Sequence, residues 1–224
     1  HDGWSYLAAG GVTGRVNAVW PLDCKGADVE AAIDRAEAWY EARNLPPRFK
    51  LTDESYAPAN LPAALARRGY SPTAPTLVMI AAVAGATPPP GVAVSAAMQR
   101  EFDAVLRAVS KNQAEYDERV SIALRAPAPA AFAMIERQGR VAAIGMCAST
   151  EAFAGLFLMR TAPDARRQGL ARLVLRSLLA RAASWGAETA FLQVEADNGP
   201  AFALYASEGF TPLTRYSFWR KTQP

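Results

Sequence analysis

The residues best suited to chemistry lie between Thr161 and Arg172, in the order Thr-Ala-Pro-Asp-Ala-Arg-Arg-Gln-Gly-Leu-Ala-Arg. Arg166, Arg167 and Gln168 run into Gly169, and a helix-forming segment begins at once. A helix N-terminus presents backbone N–H groups without intrahelical partners, at the positive end of the helix dipole. Both features attract phosphate. Glycine at 169 lets a ligand approach the backbone without meeting a Cβ, and arginine forks add charge-assisted hydrogen bonds. The spacing predicts a phosphorylated ligand at this turn. Taken alone, the same residues also suit a solvated surface turn. No Gly-Lys-Ser/Thr follows, so this is not a Walker loop. The absence of GxGxxG sets aside a dinucleotide fingerprint.

The remaining inventory narrows the chemistry. The single histidine is His1, read as a remnant of an expression tag. A Ser-His-Asp triad, a histidine base and a His-ligated metal are therefore all but excluded, and no metal is expected. Cys24 and Cys147 have no CxxC spacing and read as free thiols of a reducing, cytoplasmic setting. A net charge of +3 argues against a dedicated nucleic-acid binder. No apolar run approaches the roughly 20 residues of a membrane span, so neither nucleic acid nor membrane is expected as a partner. With 51% hydrophobic and 20% charged residues, the 224-residue chain has the composition of a globular protein with one large or two small domains.

The elements that must position the arginine loop read from periodicity. Residues 154–161 form a strand, 168–185 a helix closed by Gly186, 190–196 a strand, about 200–207 a helix and 214–220 a last strand. Upstream lie helices over 96–109 and 113–124, then a hairpin over 131–150 turning at Arg137-Gln138-Gly139-Arg140. The first half repeats part of this order. Strands at 4–8 and 15–20 flank Gly10-Gly11, a helix covers 28–43, short strands follow at 48–52 and 76–83, and a helix covers 60–70. Asn60…Gly69-Tyr70 answers Asn198…Gly209-Phe210, which suggests a duplicated unit. Three consecutive prolines near residue 88 divide the chain into 1–84, a linker at 85–91, and 92–224.

Two blocks in the second half carry a family resemblance. Arg166, Gly169 and Ala171 fit Arg/Gln-x-x-Gly-x-Gly/Ala after a strand and a proline. Asn198, Ala201, Leu204, Tyr205, Gly209 and Phe210 fit Asn-x-x-Ala-x-x-Leu-Tyr-x-x-x-Gly-Phe. Over about residues 154–220 the chain resembles the GNAT superfamily, the Gcn5-related N-acetyltransferases that use acetyl-CoA. The resemblance implies an α/β (α+β) fold with a mixed, mostly antiparallel central sheet flanked by helices, here in a tandem arrangement. It implies that the backbone of Arg166, Arg167, Gln168, Gly169, Leu170 and Ala171 cradles the cofactor pyrophosphate, with Arg172 nearby. It further implies that the main chain of Met159 and Thr161, on either side of Arg160, bonds the pantetheine arm. Asn198, with Ala201 behind it, would touch the same arm, and Tyr205 would sit by the thioester sulfur.

Those roles suit the chemistry of an amine attacking a thioester. A backbone N–H near Met159 would stabilise the developing oxyanion. Tyrosine, with an ordinary pKa of about 10, can return a proton to the leaving thiolate. Glu195, at the end of its strand, is the favoured base, acting through water. Glu151 is an alternative, and either is also compatible with a plain surface carboxylate. Cys147 reads as a core residue, not a nucleophile. The segment Pro21–Glu30 carries acids where the second half has Arg166 and Arg167, so residues 1–84 are expected to be a degenerate unit without cofactor. The expected function is transfer of acetyl from acetyl-CoA to a primary amine, small molecule or protein, in a ternary complex by a monomer or homodimer. The alternatives are a non-catalytic acyl-CoA-binding regulatory module and a transferase using another acyl-CoA, which Arg160 and Arg215 keep open.

Overall fold

The computed structural model describes residues 3–25, 28–83 and 87–221. His1, Ala84 at the end of the expected first unit, and Gly85 and Ala86 at the start of the expected linker lie outside them. In chain order the elements are β1 (Trp4–Tyr6), β2 (Val19–Pro21), α1 (Val29–Glu41), β3 (Phe49–Thr52), α2 (Leu61–Arg67), β4 (Tyr70–Pro72), β5 (Thr76–Ala82) and β6 (Val92–Ser95). They continue with α3 (Arg100–Ala108), α4 (Gln113–Leu124), β7 (Ala130–Arg137), β8 (Arg140–Thr150), β9 (Phe153–Thr161), α5 (Leu170–Ser184), β10 (Thr189–Glu195), α6 (Gly199–Ser207) and β11 (Thr211–Lys221). No helix among the described residues is long and apolar enough to cross a membrane.

The chain divides into two compact units, and the division is not at the proline run. It falls inside β5, between Leu77 and Val78, and the first unit also takes residues 195–197 and 214–221. The reason is strand pairing. β11 runs antiparallel to β3 (Tyr216 opposite Thr52, Phe218 opposite Lys50) and also to β4. The last strand, expected to complete residues 92–224, therefore completes the sheet of the first unit.

In that unit β1 pairs antiparallel with β2, and β2 pairs parallel with β3 at Val19 and Phe49. One face buries Val19, Phe49 and Leu51 against Ile33, Ala36 and Tyr40 of α1 and Leu61 and Leu65 of α2. Each of the large side chains contributes on the order of 1.5–3 kcal/mol by leaving water. The Gly10-Gly11 bend between β1 and β2 is organised by buried Asn17. Its Oδ1 accepts from the N–H groups of Ala9 and Gly11 at 2.7 and 2.9 Å, and its Nδ2 donates to the Thr13 carbonyl.

In the second unit β6, β7, β8 and β9 form an antiparallel series, and β10 joins β9 in parallel after the α5 crossover. β6 went unrecognised in the sequence; it pairs with β7 from Val92–Ile135 to Ser95–Phe132, which delays the following helix from the expected 96 to Arg100. The β7–β8 hairpin turns at Gln138 and Gly139, both at positive φ, as its Gln-Gly pair predicts. Phe102 and Leu106 of α3 and Tyr116 of α4 pack on Phe132, Ile144 and Met146. α5 covers the other face, where the Cys147 thiol lies 3.8 Å from the Leu178 carbonyl. Cys147 is wholly buried, and burial pushes its pKa up to about 12, as befits a core residue.

Alternation along β3 turns Lys50 away from Phe49 and Leu51. Its Nζ stands 3.6 Å from the Trp20 ring centre and 4.0 Å from that of Tyr216. Arg15 donates to the Tyr216 hydroxyl at 3.2 Å and adds like charge. Burial, and to a lesser degree Arg15, push the Lys50 pKa down from 10.5 to about 8. An unfolded chain keeps the proton that folded Lys50 releases, so this group's contribution to stability rises with pH from about 8 to 10.5. Urea unfolding of wild type and Lys50→Met across that window should show wild type gaining on the variant as pH rises. Parallel curves would contradict this environment for Lys50.

Candidate active site

The site begins where two parallel strands stop pairing. β9 and β10 are in register from Phe153–Thr189 to Gly155–Phe191. β9 then continues to Thr161 and β10 to Glu195. Phe157 folds back over Gly155, where a Cβ would come within 2.3 Å of its ring, and meets Phe191 edge to face. This aromatic pair closes the last rung. Beyond it the main chain of β9 from 157 to 161 presents polar groups along an edge that β10 no longer covers.

The same edge carries a bulge. On β8 the step from Ile144 to Met146 is two residues; opposite it, the step on β9 from Arg160 to Phe157 is three. The extra residue is absorbed at Leu158, whose φ is +53. Leu158 packs with the α3–α4 side of the sheet, whereas Met159 reaches toward α5 over Gly145. Arg160 donates to the Met159 carbonyl at 2.8 Å. The bulge thus re-aims the main chain at Met159, one of the two residues expected to bond a ligand's arm.

A short turn, Pro163–Ala165, follows Thr161. Ala165 and Leu170 are buried and pin the two ends of the loop, while Arg166, Arg167, Gln168 and Gly169 are exposed. Arg167 and Gly169 both have positive φ, +58 and +73, which turns successive N–H groups into one concavity. Gly169 is the N-cap of α5, and no side chain caps it. Nothing lies within 4 Å of a Cβ built there, so it is the left-handed backbone, not crowding within the protein, that calls for glycine. The N–H groups of Leu170, Ala171 and Arg172 open the helix and have no intrahelical acceptor. Gln168 donates to the Asp164 carbonyl at 3.3 Å, and the Asp164 carboxylate pairs with Arg140.

α6 supplies the second block. Asn198 caps it, with its Oδ1 accepting from the Ala201 N–H at 3.2 Å, and Asn198 itself is exposed. Ala201 is half-buried; Tyr205 is buried with its ring against that of Phe210. Glu195 is the exposed last residue of β10 and is counted with the first unit. Glu151 occupies the turn before β9. Nine strand residues separate it from the loop, roughly 30 Å at 3.3 Å per residue, which removes it from the region of Arg166–Gly169.

The Arg172 side chain is engaged elsewhere than at the loop. Its Nη2 donates to Ser207 Oγ at 2.9 Å and its Nε lies 2.9 Å from Glu208 Oε1. Arg176 grips the same carboxylate with two hydrogen bonds, of 2.7 and 3.0 Å. Sequence reasoning missed Arg176 and Glu208. The i,i+4 arginine pair on α5 was visible, but the acid it meets is 32 residues away. Among the described residues no group of three or more His, Cys, Asp or Glu side chains could hold a metal.

Residues 1–219 match a protein-family model described as "Probable histone acetyltransferase Rv0428c C-terminal". The chain is similar to the ribosomal protein bS18-alanine N-acetyltransferase of Escherichia coli strain K12, 36% identical over 80 residues, 36% of this chain and 54% of that protein. It thus spans about half the length of these curated relatives. It is also similar to the "Uncharacterized N-acetyltransferase YobR" of Bacillus subtilis strain 168, 27% identical over 231 residues, covering 96% of this chain and 88% of that one. The solved structure of a GCN5-related N-acetyltransferase from Kribbella flavida superposes with a TM-score of 0.67 at 16% identity, over 93% of this chain and 82% of that one. At that identity the likeness is one of fold.

The bulge depends on the glycine facing it. A Cβ at Gly145 would lie 2.4 Å from Met159 Sδ, 2.9 Å from Val174 and 3.0 Å from Leu178. Met159 can yield, but Val174 and Leu178 are fully buried. Gly145→Ala should therefore destabilise the protein by about 1–3 kcal/mol in urea unfolding, and an unchanged midpoint would show that α5 does not press on the bulge.

Proposed function

From the premise that the chain belongs to the family of the probable histone acetyltransferase Rv0428c C-terminal domain, within the GNAT superfamily, we propose that it is an N-acetyltransferase. It takes acetyl from acetyl-CoA and gives it to a primary amine. One observation carries the assignment of the donor site: the contrast between two helix N-termini. α5 opens on Gly169 with no side-chain cap. α1, at the corresponding place in the first unit, opens on Asp28, whose carboxylate accepts from the Glu30 N–H at 2.9 Å. An acid already occupies the anion position of α1 and would repel a phosphate. The donor therefore belongs to the second unit, and the first is its degenerate counterpart.

The order of elements supports the tandem reading. Parallel strands β2 and β3 are joined through α1, and β9 and β10 through α5. A short helix follows each pair, α2 and α6, ending in glycines of like conformation (Gly69, φ +81; Gly209, φ +86) and in buried Tyr70 and Phe210. Neither Cys24 nor Cys147 forms a disulfide.

In this reading the N–H groups from Arg167 to Arg172 and the guanidinium groups of Arg166 and Arg167 hold the pyrophosphate. Arg172, whose guanidinium is engaged on α6, contributes through its backbone N–H only. Met159 and Thr161 offer main-chain groups to the pantetheine arm beside Asn198. Acetyl-CoA supplies the activated acyl group. A backbone N–H at the bulge steadies the carbonyl oxygen as the amine attacks. Tyr205 gives its phenolic proton to the thiolate as the C–S bond breaks, and Glu195 takes the amine's proton through water. The acceptor remains to be chosen by screening. A peptide with N-terminal alanine, suggested by the Escherichia coli relative, stands beside polyamines and amino acids as a first panel.

Calorimetric titration with acetyl-CoA should show binding that weakens at least ~10-fold in the Arg166→Glu/Arg167→Glu double variant. With an acceptor from the panel, Tyr205→Phe should lose on the order of 10²-fold in thiol release at unchanged acetyl-CoA affinity. Turnover that survives Tyr205→Phe would remove the tyrosine as acid. Binding without turnover on any amine would leave the regulatory reading in its place.

A further inference from the structure

Two helices carry the two ends of the proposed donor site, and one carboxylate ties them together. Glu208 is the C-cap of α6, at the negative end of that helix, where an acid is unfavourable. Its side chain is only 7% exposed. Nothing in α6 itself explains an acid there. The explanation lies on α5: Arg176 forms a bidentate pair with the carboxylate, and Arg172 stands within ion-pair distance. Arg172 also donates to Ser207 Oγ, which in turn donates to the Leu204 carbonyl at 2.7 Å. The last turn of α6 is therefore held at three points by the first two turns of α5. Exposed ion pairs usually contribute little, but a bidentate pair on a buried carboxylate is the favourable exception.

Resting on the acetyltransferase reading above, we propose that Glu208 is a positioning residue that sets Tyr205 and Asn198 in register with the phosphate loop. Glu208 lies three residues beyond Tyr205 on the same helix, so the two are neighbours on its surface. Arg172 sits in the first turn of α5, and its own N–H is the last of those that face the phosphates. A ligand that spans both helices must find both at once, and its affinity depends on their spacing being fixed beforehand. A ligand that touches only the loop has no such requirement.

That difference gives the test. Calorimetry with coenzyme A, which reaches both helices, is compared with adenosine 3′,5′-bisphosphate, which lacks the pantetheine arm. In Glu208→Gln the coenzyme A Kd should rise about 10-fold, while the bisphosphate Kd stays within about twofold. Arg176→Gln, from the more exposed side of the pair, should show the same split, and it serves if Glu208→Gln does not fold. The charge-swapped Glu208→Arg/Arg176→Glu protein should recover most of the coenzyme A affinity. Equal losses for both ligands would mark a merely structural role and overturn the proposal. So would an unmoved or tighter coenzyme A Kd, the latter because a released Arg172 would then be serving the phosphates. Wild type that fails to bind coenzyme A would instead overturn the acetyltransferase reading itself.

Discussion

Parallel pairing between β9 and β10 ends after three residues, and the rest of the second unit is arranged around that ending. A backbone edge without a strand partner needs another partner or water. Here the edge is bulged at Leu158, so the main chain near Met159 turns outward, and it runs straight into a helix whose N-terminus is also left without a side-chain cap. The end of strand pairing and the helix start without a side-chain cap follow each other along one path. In the function proposed here, an extended ligand with an amide-bearing arm and a phosphate end follows that path. Gly145, Phe157, Ala165 and Leu170 hold it open by packing, not by polar contacts.

The two units differ where their crossover helices begin. Both join parallel strands through a helix and follow with a shorter helix that ends in glycine and a buried aromatic ring. At the start of the crossover helix one has Asp28 and the other Gly169. The aspartate supplies its own anion to the helix and closes it. The glycine, at positive φ, supplies nothing and leaves the N–H groups to something else. Within the first unit, Lys50 fills the sheet face beyond the single β2–β3 rung, between Trp20 and Tyr216.

Much of this was legible in the residues because local signals agreed with the long-range structure. The 113–124 helix has the bounds its pattern predicts, Gln138-Gly139 makes its turn, and the loop from Arg166 to Gly169 stands where the motif places it. What was not legible depends on partners distant in sequence. β6 is a strand because β7 offers it an edge. The last strand joins the first unit because β3 and β4 receive it, which no proline run could announce. The bulge at Leu158 has no motif of its own; Gly145 in an apolar strand was its one local sign. Arg172 follows the loop, but its guanidinium donates to Ser207 and lies beside Glu208, both on the α6 side. Glu151, the alternative base, stands at the opposite end of β9 from the loop.

The central claim is that the uncapped start of α5, and not the capped start of α1, receives the donor's phosphates. Amide-resolved NMR of the full chain during titration with coenzyme A tests it most directly. The account predicts saturable shifts at the backbone amides of residues 167–172 and along 157–161, with the amides of residues 28–32 unmoved. Shifts at the start of α1, or binding that leaves 167–172 in place, would contradict it.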